Sequence, residues 1–235
     1  MATISANLQA VGQRIAAAAR AAGRDPGSVR LLAVSKTFSD TAIRAAAAAG
    51  QRAFGENYVQ EALAKMAALS DLDLEWHFIG PLQSNKTRAV AEHFDWVHSV
   101  DRMRIAERLS AARAGRPALQ VCLQVNTSGE ASKGGVAPEE AADLAAAVAR
   151  LPHLRLRGFM TLPEPTQDAV LLRGRFRLLR QLRDAANARG LTLDTLSMGM
   201  SDDLEAAILE GATIVRVGSA IFGTRGRSLE RKQTL

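Results

Sequence analysis

The chain has 235 residues, 47% hydrophobic and 23% charged, with a formal net charge of +6. That balance describes a globular chain of barrel size and excludes an intrinsically disordered one. A single cysteine, Cys122, excludes an internal disulfide, and no apolar run is long enough to span a bilayer, so no membrane association is expected.

Arginines are scattered through segments rich in Ala and Glu, without interleaved base-stacking aromatics, so the basic balance reads as a compositional habit. No nucleic-acid partner is expected. Residues 1–24 lack the basic-then-apolar layout of a signal peptide and read as an amphipathic helix. The expectation is a cytoplasmic protein.

After that helix, short apolar runs recur at 30–35, 52–54, 76–79, 96–100, 119–125, 156–160, 193–198 and 213–217. Each is short and rich in Val, Leu, Ile or Phe, as buried parallel strands are. Cys122 lies in the fifth run and reads as a buried structural thiol. Between the runs lie helical patterns with visible ends. Ser39-Asp40 caps an Ala-rich helix that stops at Gly50, and Asp101 opens a helix closed by Gly115. Pro138-Glu139-Glu140 and Ser201-Asp202-Asp203 each start another.

Strand-helix alternation repeated about eight times predicts an α/β fold, a single (β/α)8 TIM-type barrel with an extra N-terminal helix. A doubly wound open sheet is the rival. It would place a glycine-rich fingerprint after its first strand, where this chain has Ser35-Lys36-Thr37-Phe38. The expected division is a barrel over 1–224 and a loose basic tail over 225–235.

Barrel enzymes carry their reactive groups at the C-terminal ends of the strands, and Lys36 ends the first run on the face of Leu32 and Val34. Burial at an apolar mouth would favour the neutral, nucleophilic amine; otherwise Lys36 is a surface lysine opening a loop. In the last run Arg216 alternates with Val215 and Val217 and points into the barrel, where it needs an acceptor. A buried carboxylate or the pyridine nitrogen of pyridoxal phosphate would serve.

Gly218-Ser219 follows the eighth strand, and Met198-Gly199-Met200-Ser201 follows the seventh. These are the places where barrels hold phosphate. Asn57, after the second strand, either lines the same site or caps a helix. His77 reads as a hydrogen-bonded structural histidine with a secondary candidacy as a base, shared with Tyr58. Gln83, Asn85 and Lys86 form a basic lip or a solvated helix start, and the loop over 126–135 shapes access.

Several stretches together resemble one family, the pyridoxal phosphate homeostasis proteins. They are Ala33-Val34-Ser35-Lys36, Phe54-Gly55-Glu56-Asn57-Tyr58-Val59-Gln60-Glu61 and Trp76-His77-Phe78-Ile79-Gly80-Pro81-Leu82-Gln83-Ser84-Asn85-Lys86. Ser197-Met198-Gly199-Met200-Ser201-Asp202-Asp203 and Val215-Arg216-Val217-Gly218-Ser219-Ala220-Ile221-Phe222-Gly223 complete the set. The resemblance implies a barrel like the N-terminal domain of alanine racemase, with pyridoxal 5′-phosphate held as a Schiff base on Lys36. It also implies that Ser201, Gly218 and Ser219 hold the phosphate, Ser219 standing where threonine is usual, and that Arg216 faces the ring nitrogen.

Family members buffer or carry the cofactor and affect amino-acid pools without an established catalytic activity. The expected partners are the cofactor and apo pyridoxal-phosphate enzymes. The alternative is a weak amino-acid racemase. Racemization needs a base on each face of the substrate, however, and the racemase takes its second base from another domain and subunit. A nucleic-acid binder and a Schiff-base aldolase complete the rivals, and a monomer is expected.

Overall fold

Eight parallel strands close on themselves in the order β1 to β8, each paired with its neighbours in sequence and β1 with β8. The computed structural model describes residues 3–130 and 134–223. The expected tail over 225–235 and residues 131–133 of the access loop lie outside the described residues. Among the described residues no helix is long and apolar enough to cross a membrane.

The first half runs α1 (Ile4–Ala21), β1 (Arg30–Val34), α2 (Asp40–Ala48), β2 (Ala53–Glu56), α3 (Val59–Ala68), β3 (Glu75–Phe78), α4 (Thr87–His93) and β4 (Trp96–Val100). The second half runs α5 (Met103–Ala112), β5 (Leu119–Gln124), α6 (Ala141–Val148), β6 (Leu154–Met160), α7 (Ala169–Ala188), β7 (Thr195–Ser197), α8 (Leu204–Leu209), β8 (Ile214–Val217) and α9 (Ser219–Phe222). Ser39 caps α2 by accepting from the Ala42 amide, as its type and place predict. Asp168 does the same for α7, accepting from Val170 and Leu171.

Some boundaries differ from the sequence reading, each for a local reason. β2 extends through Gly55 and Glu56, which continue the ladder opposite His77 and Phe78. β6 begins at Leu154, two residues early, because Arg155 and Arg157 occupy alternate strand positions that break its apolar run. Gly158, at φ 159, sits at a register shift between β5 and β6, and a Cβ there would lie 1.8 Å from the Thr195 carbonyl oxygen. Ser201-Asp202-Asp203 leads directly into α8 as expected, with Asp203 at its N-cap position, although the Asp203 side chain caps no helix amide. It folds back to accept from the Met200 amide, and α8 begins at Leu204.

Among the described residues two separate apolar clusters result. A large one fills the annulus between strands and helices, from Val11 in α1 to Ile221 in α9. A small one, Leu32, Val34, Ala53, Ile79, Trp96, Cys122, Met160 and Ile214, fills the barrel lumen. Cys122 is fully buried there, and burial pushes its thiol up to about 12, in keeping with an inert structural role.

Candidate active site at the C-terminal mouth

Strand ends β1, β2, β7 and β8 surround a cavity of about 460 Å³. Lys36, Asn57, Ser201, Arg216, Gly218 and Ser219 all line it, together with apolar walls from Val34, Phe38, Ile79, Leu162 and Met200. These six lie between positions 36 and 219 of the sequence, and closure of the barrel brings them together.

Lys36 lies two residues past the end of β1, half-buried in a turn closed by the Phe38 amide donating to the Ser35 carbonyl at 3.0 Å. Thr37 in that turn has φ 67, an uncommon conformation for a β-branched residue. Its amide donates to Glu61, which holds the turn in place. Behind it Glu56 is fully buried and accepts from Ser35 Oγ and Lys65 Nζ, each at 2.7 Å. Lys65 Nζ also donates to the Ser35 carbonyl at 2.8 Å and pairs with Glu61. The turn that presents Lys36 therefore rests on a buried ionic clamp. Burial pushes the Glu56 carboxyl up, against the hydrogen bonds from Lys65 and Ser35 that pull it down.

The opposite wall comes from the seventh and eighth loops. Gly199 has φ 94, and a Cβ there would come within 2.6 Å of the Ala207 Cβ. Its carbonyl accepts from the Arg216 amide at 2.9 Å, which fastens the seventh loop to β8. The two serines then meet, Ser219 Oγ donating to Ser201 Oγ at 3.1 Å. Arg14 of α1 donates to the Ser201 carbonyl at 2.9 Å and steadies the loop from outside.

Arg216 forms the floor. It is almost fully buried, and its acceptors are neither a carboxylate nor any other anion. NH1 donates to Ser197 Oγ and NH2 to the Thr161 carbonyl, both at 2.8 Å. Burial lowers its pKa to about 10, opposed by the charge of Asp203, so the guanidinium remains protonated near neutrality. Asn57 supplies a buried Oδ1 with no hydrogen-bond partner among the described residues. Such an atom costs free energy unless a bound group or water reaches it.

The other sequence candidates stand elsewhere. Tyr58 is 57% exposed and does not line the cavity. His77 is buried in the lumen beneath the site, between Glu75 and His98. Gln83, Asn85 and Lys86 lie in or beside a short 3-10 turn and do not line the cavity either.

Four functional positions escaped the sequence reading. Glu56 carries no local signal that would mark it as buried. Lys65 had a visible signal, since it falls on the apolar stripe Val59, Ala62, Lys65, Leu69 of α3 at helical spacing. Ser197 and His98 sit on inward positions of β7 and β4, but only the assembled barrel reveals that they face each other.

A site with an amine at its rim, two adjacent hydroxyls on one wall and a buried cation beneath suits a planar anionic carbonyl compound. The comparisons agree. Residues 6–226 match the family model described as alanine racemase, N-terminal domain. The pyridoxal phosphate homeostasis protein of Pseudomonas aeruginosa is 63% identical, over 96% of this chain and 97% of that one. Its Escherichia coli K12 namesake is 53% identical over 96% and 98%. The solved structure of PipY from Synechococcus elongatus with pyridoxal phosphate bound superposes with a TM-score of 0.79. It is 41% identical, covering 91% of this chain and all of PipY (100%).

Proposed function

Because the chain belongs to the pyridoxal phosphate homeostasis proteins, within the alanine racemase N-terminal domain family, we propose that it binds pyridoxal 5′-phosphate in the cavity at the barrel mouth. It holds the cofactor reversibly as a Schiff base on Lys36, as a cytoplasmic reserve that limits free aldehyde, supports amino-acid balance and supplies apo-enzymes. The observation that carries this reading is the convergence of Lys36, the Ser201–Ser219 hydroxyl pair and buried Arg216 in one cavity.

The residues fit the group. Ser201 and Ser219 present hydroxyls to a phosphate, with Gly218 leaving the backbone uncovered between them and β1. Arg216 offers a fixed donor to a ring nitrogen, and Asn57 Oδ1 awaits a donor. The Lys36 amine adds to the aldehyde carbon and expels water, and an incoming free amine reverses that attachment. When bound, pyridoxal phosphate supplies an electrophilic imine and a conjugated ring.

Storage is favoured over racemization by the neighbours of Lys36. A protonated guanidinium facing the ring nitrogen keeps that nitrogen unprotonated, which weakens the ring as an electron sink. Of the candidate bases, Lys36 lines the cavity, whereas Tyr58 and His77 stand away from it.

The test is the visible spectrum of the protein with pyridoxal phosphate, before and after borohydride, followed by peptide mapping. The expected result is an imine band abolished by reduction, with the adduct on Lys36, and no band in Lys36→Ala. Label spread over surface lysines would refute the assignment. Exchange of a substrate Cα proton into deuterated solvent, lost in Lys36→Ala, would move the reading to a racemase.

A further inference from the structure

The lumen below Arg216 is crossed by an unbroken file of hydrogen bonds. Arg216 NH1 donates to Ser197 Oγ at 2.8 Å, and Ser197 Oγ meets His98 Nδ1 at 2.8 Å. His98 Nε2 meets His77 Nδ1 at 2.9 Å, and His77 Nε2 contacts Glu75 Oε1. Glu75, at the start of β3, is one-third exposed on the far face of the barrel and pairs with Arg30 at 3.0 Å. The file thus joins the floor of the site to solvent at the opposite end.

The chemistry of its two ends fixes its direction. Glu75 is anionic, held down to about 2 chiefly by its bond from His77, so it only accepts. His77 must then carry its proton on Nε2. Burial lowers the His77 pKa, against the pull of Glu75, and that of His98 well below the ordinary value, which favours the neutral form of both rings. A neutral His77 has Nδ1 as an acceptor, which requires Nε2–H on His98 and leaves His98 Nδ1 as an acceptor too. Ser197 must donate its hydroxyl proton to that nitrogen, so its lone pairs turn to Arg216.

Among the described residues few charged groups act on the two rings. His77 faces Glu75, Arg30 and Asp95, and His98 faces His77, Arg216 and Arg30. Trp96 stacks on His77 at 5.3 Å and 6° and holds the ring plane.

We propose that His98 and His77 are positioning residues, which hold Ser197 as a pure acceptor for Arg216 and so let Glu75 on the far face fix the donor that the site presents. The proposal rests on the cofactor reading only for the identity of the group Arg216 faces.

The first test needs no ligand. Side-chain 15N NMR of the free protein is expected to show Nε2–H on both His77 and His98. Nδ1–H on either ring would overturn the file. Glu75→Gln is nearly isosteric and can donate or accept, so both tautomers are expected in that variant. In the loaded protein, Glu75→Gln is expected to shift the pH titration of the imine band, and His98→Ala to weaken retention of pyridoxal phosphate by about tenfold, the loss of one bond to a charged group. Titration curves of Glu75→Gln and wild type that coincide would refute the coupling to Arg216. Failure of wild type to take up pyridoxal phosphate sinks the proposed function alone, since the tautomers still decide the file.

Discussion

The barrel has two interiors, and they do opposite work. The annulus between strands and helices is continuous and apolar: Ile43, Leu109, Phe176 and Leu196 are wholly buried there among other apolar side chains. The lumen is as well sealed but holds only a handful of apolar side chains beside His77, His98, Ser197 and Arg216. Burying those polar groups costs free energy that their mutual hydrogen bonds only partly return. Stability is thus concentrated in the annulus, while the lumen fixes the orientation of groups beneath the site.

That contrast breaks first if a large annular side chain proves dispensable. Phe176→Ala is expected to cost about 3–5 kcal/mol in denaturant unfolding while leaving the site intact at low denaturant. A loss below about 1 kcal/mol would deny the annulus its role.

Ser197→Ala, in the lumen, removes one acceptor of a buried guanidinium and is expected to cost about 1.5–3 kcal/mol. It is expected to disturb cofactor retention as well, whereas Phe176→Ala is not. Equal effects of the two on both readouts would erase the distinction.

Acid sharpens it further. Both lumen histidines have depressed pKa values in the folded state. Their contribution to stability is therefore full above the unfolded value of about 6.5 and is lost progressively as pH falls below it. The urea midpoint is expected to drop between pH 7.5 and pH 5.5, and less steeply in His98→Asn. The smallest effect belongs to the surface. Glu205→Ala, which cuts its half-exposed pair with Arg14, is expected to cost about 0.5 kcal/mol.

The sequence made the annulus legible and the lumen nearly opaque. Amphipathic helices and short apolar strands advertise a shell, because burial on one face imposes a period. Lys36, Arg216 and the two serine loops were legible because each stands at a strand end. The supports behind them were not. Glu56 and Lys65 are acid and base on different elements, and His98 and Ser197 are 99 residues apart. Such pairs have no local pattern; only the closing of the sheet makes them neighbours. The partner of Asp203 at the start of α8 was likewise hidden, since its side chain accepts from the Met200 amide of the loop and not from the helix.

Closure of the barrel also sets a timetable. Asn7 of α1 donates to the Ile221 carbonyl of α9 across 214 residues, and β1 pairs with β8. During translation Lys36 leaves the ribosome long before the strand that carries Arg216 and the loops that carry both serines. Contacts of such sequence separation form late, after their loop-closure entropy is met. The nascent chain therefore carries an ordinary amine for most of its synthesis, and it gains a seat for an aldehyde only when its last strand docks against its first.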